Sequence, residues 1–372
     1  MLYLFYFCVG KFTIKAFIIP VMSAKPVKKI LVIRFRRVGD AVISSVLCSS
    51  LKKSFPQAEI HYVLNEAIAP LFENHPHIDK IIRFSEADQK PFLTYVGKVA
   101  EIMREGNYDI VLDTRSTLKT LWFSLFSLSS PWRIGRLKSY NRWLQNYRVP
   151  LGYDDEVSNT LKLLNPLKAK YPIAEVRDFC LHVSEEERSA FSKKMVAQGM
   201  DLDKPVVACA VTARLDEKIW AREKMVDTLS RVLGEYPTVQ LVFNYAGERE
   251  KRNAEKIFED LGKKPRIFIN LEASNLRELL ALFSFSSFFF GNEGGPRHIS
   301  QAMNVPSFAI FSPSISKSVW LPNASPRFQG VEVGDIDPAL VANDSLTFEE
   351  KFGAIDPQFV WTKLDAMLKV YL

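Results

Sequence analysis

Across 372 residues the chain carries 49 Lys/Arg against 42 Asp/Glu, a net charge of +7, with 47% hydrophobic and 24% charged residues. Those proportions are those of a soluble globular protein long enough for two domains, each with its own core. Cys8, Cys48, Cys180 and Cys209 are far apart and form no C-x-x-C pair, which speaks against a disulfide scaffold or zinc site and fits a reducing compartment. No structural metal is expected. The positive excess lies towards the front, where residues 1–60 hold ten Lys/Arg but only two acids, Asp40 and Glu59. An anionic partner (nucleotide, nucleic acid or phosphorylated lipid) is one reading, and a solubilising bias is the other.

The first 21 residues, MLYLFYFCVGKFTIKAFIIPV, are apolar and aromatic but broken by Lys11 and Lys15. A signal peptide places its positive charge ahead of the apolar run, and two mid-stretch lysines are costly in a membrane span. A loose extension over residues 1–27 or an upstream start is expected, with an amphipathic tether as the alternative. KKILVIRF then reads as a buried parallel strand, followed by RRVGD and the helix-spaced AVISSVLCSSLKKSF. EIHYVLN, IDKIIRF and YDIVLD continue as strands, with a helix near 92–104 and another in TLKTLWFSLFSL.

A second series begins after a polar stretch near 170–180. SEEERSAFSKKMVAQ is a helix opened by a capping box, Ser184 with Glu187. PVVACAV, TVQLVFN, RIFIN, SSFFFG and PSFAIFS read as strands, with helices near 221–234, 249–261, 275–283 and 296–304 between them. DPQFVWTKLDAMLKVYL closes the chain as one amphipathic helix, with Phe359, Leu364, Met367 and Leu368 apolar. Strand and helix alternate with short connections, so the fold class is α/β: two doubly wound domains with parallel sheets facing a cleft. Ligands of such sheets sit beyond the carboxyl ends of the strands.

Three loops occupy such positions. In GNEGGPRH, residues 291–298, Gly294 and Gly295 remove side-chain bulk and Pro296 suits a first helical turn. Helix-start amides and the positive end of the helix dipole then suit a phosphate or diphosphate, with Arg297 and His298 beside it; a tight turn with nothing bound, and a His298 that simply packs, are the alternatives. No G-K-[ST] follows, so it is not a Walker loop. Glu293 suits sugar hydroxyls or a helix cap. In RRVGD, Asp40 is either an N-cap or a general base at the cleft edge, and Arg36 and Arg37 can hold an anionic substrate or form a solvated loop. In TARLDEKIW, Lys218 can act as a point charge on a leaving diphosphate or simply face solvent.

Taken together, KKILVIRFRRVGDAVISSVLCSSL, the Lys218–Trp220 loop and GNEGGPRHISQAMNVPSFAIFSP resemble the heptosyltransferase family, glycosyltransferase family 9, over residues 28–372. The resemblance implies a GT-B architecture. Residues 28–175 would be an acceptor-binding and 176–350 a donor-binding Rossmann-like domain, with 351–372 crossing back to the first. It implies metal-independent, inverting transfer of heptose from ADP-heptose to an inner-core saccharide on lipid A, with no cofactor. The family's base falls on Asp40 and its diphosphate lysine on Lys218. Its helix-start amides fall at Gly294 and Gly295, its sugar-reading acid on Glu293 and an adenosine-side acid on Glu248. Asp113, Arg115 and Lys119 fall where acceptor contacts are expected. Glu293-Gly294-Gly295 replaces the Asp-Ser-Gly or Asp-Thr-Gly of many members, which bears on sugar identity. Arg36 and Arg37 replace small polar residues, which bears on the acceptor.

The basic, aromatic stretch 132–148 reads either as a dock for a phosphorylated lipid headgroup or anionic membrane face, or as a solvated loop with inward aromatics. A cytoplasmic protein, peripheral at the inner membrane, would follow from the first. Nucleic acid is a lesser reading, since no recognised module appears. Transfer from another nucleotide sugar and a non-catalytic nucleotide-sugar binder stand as alternatives. A Rossmann oxidoreductase is disfavoured because RVGD lacks the further glycines a dinucleotide requires.

Overall fold

The structure is a computed structural model that describes residues 26–372 except Tyr153; the N-terminal stretch 1–21 lies outside the described residues. The first sheet contains β1 (Lys29–Ile33), β2 (Glu59–Asn65), β3 (Lys80–Phe84), β4 (Ile110–Asp113), β5 (Trp132–Arg136) and β6 (Tyr147–Val149). The second contains β7 (Val206–Ala210), β8 (Gln240–Phe243), β9 (Ile267–Phe268), β10 (Phe288–Asn292), β11 (Ser307–Ile310) and β12 (Phe328–Val331). Every pairing is parallel. The orders are β3-β2-β1-β4-β5-β6 and β12-β11-β10-β7-β8-β9.

The second sheet therefore repeats the topology of the first. In each, the chain starts at the centre, winds outwards, then returns to wind the other way. The reversal falls between β1 and β4 in one lobe and between β7 and β10 in the other. Connections on the two sides of such a switch point leave in opposite directions, which opens a crevice at the carboxyl edge. The RRVGD loop follows β1, and residues 114–120 follow β4. The Lys218 loop follows β7, and the glycine corner follows β10. Topology alone thus delivers all four to switch points.

The helices that matter here are α1 (Val38–Ser54), α2 (Phe92–Gly106), α3 (Leu121–Leu125), α4 (Glu185–Ala197), α5 (Arg222–Glu235), α6 (Gly247–Asp260), α7 (Leu276–Phe285), α8 (Gly295–Ala302) and α9 (Pro357–Tyr371). Strand side chains alternate between faces. Ile30 and Val32 join the core around α1, whereas Leu31 and Ile33 meet Tyr95, Val99 and Met103 of α2. In the second sheet Val206 and Ala208 face the α1 side, and Val207 and Cys209 face α5 and α9. Every residue of α1 from Gly39 to Leu51 is buried, because α1 is packed by its own sheet and also by α8 of the other lobe.

Several expectations needed correction. TLKTLWFSLFSL yields only α3. Thr117 and Thr120 hydrogen-bond each other's backbone N–H groups, an alternative to helical pairing that shortens the element. RIFIN shrinks to the two-residue edge strand β9. Stretch 132–148 is two strands, β5 and β6, joined by a turn; Trp132 is buried and stacks on Tyr147 with ring centroids 4.7 Å apart. The resemblance implies a closing helix that returns to the first lobe, but the buried face of α9 joins the second core. Its Val360, Leu364, Met367 and Leu368 pack with α5 residues, and Tyr236 Oη donates to Asp365 at 2.7 Å.

Candidate active site

Beyond β1 the chain turns on two arginines. Arg36 and Arg37 have φ of +72° and +22°, a region that residues with a Cβ seldom occupy, so the corner is strained. Both side chains are exposed at the cleft edge. Asp40 sits in the first turn of α1, two residues beyond the helix start; Arg37 holds the N-cap position and caps with no side-chain bond. The capping reading of Asp40 is thereby excluded. Its carboxylate is buried and meets Arg34 Nη2 at 2.6 Å through Oδ1, while Arg115 Nη1 lies 3.9 Å from Oδ2. Arg34 is as deeply buried, and its Nη1 reaches Thr114 Oγ1 at 3.4 Å. Burial pushes its guanidinium pKa below the usual value while Asp40 pulls it back up.

Asp113, expected among acceptor contacts, is instead internal. Its Oδ1 accepts from the backbone N–H groups of Arg115 at 3.0 Å and Ser116 at 2.8 Å. Burial raises its pKa, and those N–H groups work against the rise. Asp113 therefore shapes the loop that carries Arg115, whose exposed side chain does reach Asp40. Lys119 donates to Gln89 Oε1 at 2.7 Å and lies 4.9 Å from the Tyr95 ring centroid. Partial burial, then Arg36, lower its pKa.

Across the cleft, Gly291 near the end of β10 has φ +144°, and a Cβ there would fall 2.3 Å from the carbonyl oxygen of Ala210 on β7. Only glycine permits that approach. Asn292 then ties the two switch-point loops together: its Oδ1 accepts from Trp220 N at 2.9 Å and its Nδ2 donates to Ala210 O at 3.0 Å. This fixes the loop that carries Lys218, whose Nζ meets Glu293 Oε2 at 2.5 Å. Glu293 is buried, and burial works to raise its carboxyl. The His298 contact at 3.5 Å and the Lys218 ammonium hold it down at about 2. Burial and then Arg297 press His298 down to about 4, so its imidazole is neutral at pH 7 and Lys218 is the cation Glu293 faces.

Gly294 is extended, and α8 begins at Gly295 with Pro296 in its first turn and no side-chain cap. Gly294, Gly295 and Pro296 are half-buried, between buried Glu293 and buried Arg297. Arg297, expected beside a diphosphate, is instead an internal strut. Its Nη1 donates to Gln301 Oε1 and its Nη2 to Trp320 O, both at 2.6 Å, and it is fully buried. Burial lowers its pKa to about 10. Glu248, in the first turn of α6, is exposed. Its neighbour Arg249 pairs with Asp216, two residues before Lys218, so Glu248 stands at the outer rim of the same lip.

The two sides meet. A Cβ on Gly39 would lie 2.5 Å from His298 Cδ2, and one on Gly295 would lie 3.4 Å from Val38 Cβ. The first turns of α1 and α8 therefore abut, placing a first-lobe carboxylate next to a second-lobe helix start and its Lys218–Glu293 pair. Sequence reasoning missed Arg34 and Asn292. Both are polar residues at the end of a buried strand, and that position was the available signal.

The chain matches Glycosyltransferase family 9 (heptosyltransferase) over residues 96–327. It is 24% identical over 292 residues to a lipopolysaccharide heptosyltransferase 1 of Campylobacter coli, covering 76% of this chain and 83% of that protein. Among solved structures it is similar to the glycosyl transferase family 9 of Veillonella parvula, with 18% identity, TM-score 0.77, and coverage of 92% of this chain and 97% of that one. It is similar also to E. coli ADP-heptose lps heptosyltransferase II, with 20% identity, TM-score 0.70, and coverage of 91% and 98%. The paired parallel sheets are accordingly the GT-B fold. With a match over more than half its length, the chain belongs to glycosyltransferase family 9, the heptosyltransferases, and is a glycosyltransferase.

Proposed function

We propose that this enzyme transfers heptose from ADP-heptose to the inner core of lipopolysaccharide with inversion at the anomeric carbon. In this reading residues 28–175 bind the acceptor and 176–350 the donor. The abutment of the α1 and α8 first turns carries it, because that contact sets Asp40 against the glycine corner. The lipopolysaccharide heptosyltransferase names of its relatives supply the sugar and the acceptor class.

In the reaction Asp40 takes the proton of the acceptor hydroxyl through Oδ2, since Oδ1 is held by Arg34. The acceptor oxygen bonds to the anomeric carbon from the face opposite the nucleotide. The bond from that carbon to the diphosphate oxygen breaks, and the electron pair leaves with ADP. Charge grows on the diphosphate as it departs, so groups aimed there lower the barrier. Those groups are the amides at Gly294 and Gly295, the α8 dipole, and Lys218, whose three N–H donors can serve Glu293 and a phosphate oxygen together. His298 backs Glu293, which reads the sugar hydroxyls. Glu248 at the rim suits the ribose, and Arg36, Arg37, Arg115 and Lys119 suit an acceptor bearing phosphate. The field from amides and a lysine makes a divalent metal unnecessary, so a chelator leaves the rate unchanged.

Asp40→Asn tests this reading. With ADP-heptose and an inner-core acceptor, ADP release should fall by roughly 10²–10⁴-fold while donor binding persists. Release at the wild-type rate removes Asp40 from the chemistry and favours a non-catalytic nucleotide-sugar binder.

A further inference from the structure

Most of the large apolar side chains left in solvent lie on the first lobe, with Val196, Leu202, Val341 and Val370 elsewhere. On the first lobe Phe92, Trp122 and Phe126 form a continuous row, with centroids 5.4 Å apart in the first pair and 6.1 Å in the second. Phe92 and Phe126 are exposed, and beside them Leu93 is 81% and Leu118 70% exposed. Tyr140 Oη donates to Ser116 O at 2.8 Å, which brings the turn between β5 and β6 against the loop after β4. That turn presents Trp143, 83% exposed, with Arg142 5.5 Å from its ring centroid. The loop after β4 and the start of α2 lie at the carboxyl edge of the sheet, beside the mouth that holds Arg115 and Asp40.

The segment that carries most of this strip is strongly basic, although Glu86 and Glu101 lie near its Phe92 and Phe126 ends. Residues 114–152 contain seven Lys/Arg and no Asp/Glu. Arg36 and Arg37 add two exposed cations at the same edge. Arg136 pairs with Glu156 and Arg115 reaches Asp40, but Lys138 and Arg142 are exposed beside the rings. Exposed aromatics and leucines beside such cations form a surface that suits a bilayer interface: rings and aliphatic chains enter the headgroup region, and the cations meet anionic lipid. No helix among the described residues is long and apolar enough to cross a membrane, so contact through this strip would be peripheral. A nucleic acid could stack on the rings, but it has no use for Leu93 and Leu118, which belong in hydrocarbon.

We propose that this strip seats the first lobe on an anionic bilayer, opening the acceptor side of the cleft directly onto a lipid-borne substrate. The idea rests on the lipid-linked acceptor of the proposed function, but it assigns the docking to residues outside the reacting groups. Binding through cations and apolar wedges weakens with salt and requires anionic headgroups.

The experiment is sedimentation of the full chain with phosphatidylglycerol/phosphatidylethanolamine vesicles, compared with phosphatidylcholine alone. Wild type should bind the anionic vesicles and release in high salt. Phe92→Ser/Leu93→Ser and, separately, Lys138→Glu/Arg142→Glu should each weaken binding by about tenfold or more. Both variants should keep wild-type melting temperatures and wild-type transfer to a delipidated, water-soluble inner-core saccharide. Vesicle binding unaltered by either variant overturns the proposal. So does binding that survives both but disappears when residues 1–21 are removed, and so does preference for an oligonucleotide over the vesicles. Normal transfer to the soluble saccharide without vesicle binding sinks the docking surface alone, whereas no transfer by the wild type faults the proposed function.

Discussion

At the scale of single residues, the least expected feature is the buried Arg34–Asp40 pair. A carboxylate aimed at a substrate must be held still, and an arginine that shares its burial does this by a short ion pair to Oδ1, while Oδ2 has only the longer 3.9 Å contact with exposed Arg115. Such pairs add little net stability, yet removing one partner strands the other charge in a poor solvent. Arg34→Met should therefore cost about 3 kcal/mol of stability. Asp40→Asn alone should also destabilise, and the double variant should fall short of the sum by roughly 0.5–3 kcal/mol. Urea unfolding of the four proteins measures this, and strict additivity would mean the two side chains do not interact. The Glu293–Lys218 pair differs in kind, because the ammonium is only partly buried and can turn towards a ligand.

At the scale of elements, α8 and α9 show how the second lobe holds its catalytic edge. The α8 start is positioned from below by Arg297, which ties the helix to Trp320 O, and from the side by Gly39 of the other lobe. The Lys218 loop is anchored through buried Trp220, whose Nε1 donates to Ile355 O at 3.1 Å, just ahead of α9. The terminal helix thus supports the donor loop from its own lobe. Leu364, fully buried between α9 and α5, is its central contact. Leu364→Ala should cost about 2–5 kcal/mol in urea unfolding and loosen the donor site with it. A loss below about 1 kcal/mol would show that α9 is dispensable to the second core.

At the scale of the whole molecule, one apolar core runs through α1 and continues to α7 and α8, so the lobes share packing as well as a cleft. Buried titratable groups on both sides make that assembly sensitive to acid. Burial, then His77, presses His75 down to about 4, and burial with Arg297 does the same to His298. The unfolded chain therefore takes up protons at both histidines that the folded chain refuses. Their contribution is complete above roughly pH 6.5 and erodes as the pH falls towards 4, by on the order of 3 kcal/mol for each. Below about pH 4.5 Glu293 adds to the loss, since its folded carboxyl stays ionised down to about 2. Urea midpoints should drop between pH 7.5 and pH 5, and His75→Gln should flatten part of that slope. Equal midpoints at the two pH values would remove both histidines from the acid response.

Most of the architecture was legible in the chain itself. Compact Ile/Val/Leu runs separated by helix-spaced segments imply parallel strands with crossover helices, because strands buried on both faces leave little room for polar residues. GNEGGPRH and RVGD were legible for a related reason: a sharp strand-to-helix corner demands particular residues locally. The edge strands β6 and β9, and β5 next to β6, were not, since the margin of a sheet tolerates charge and short length, and a charged margin carries no apolar signature. Nor could sequence foretell that Arg34 pairs with Asp40, that Arg297 and Asp113 turn inwards, or that α9 stays with the second lobe. Each depends on which surfaces meet across tens or hundreds of residues, and only the folded packing sets those distances.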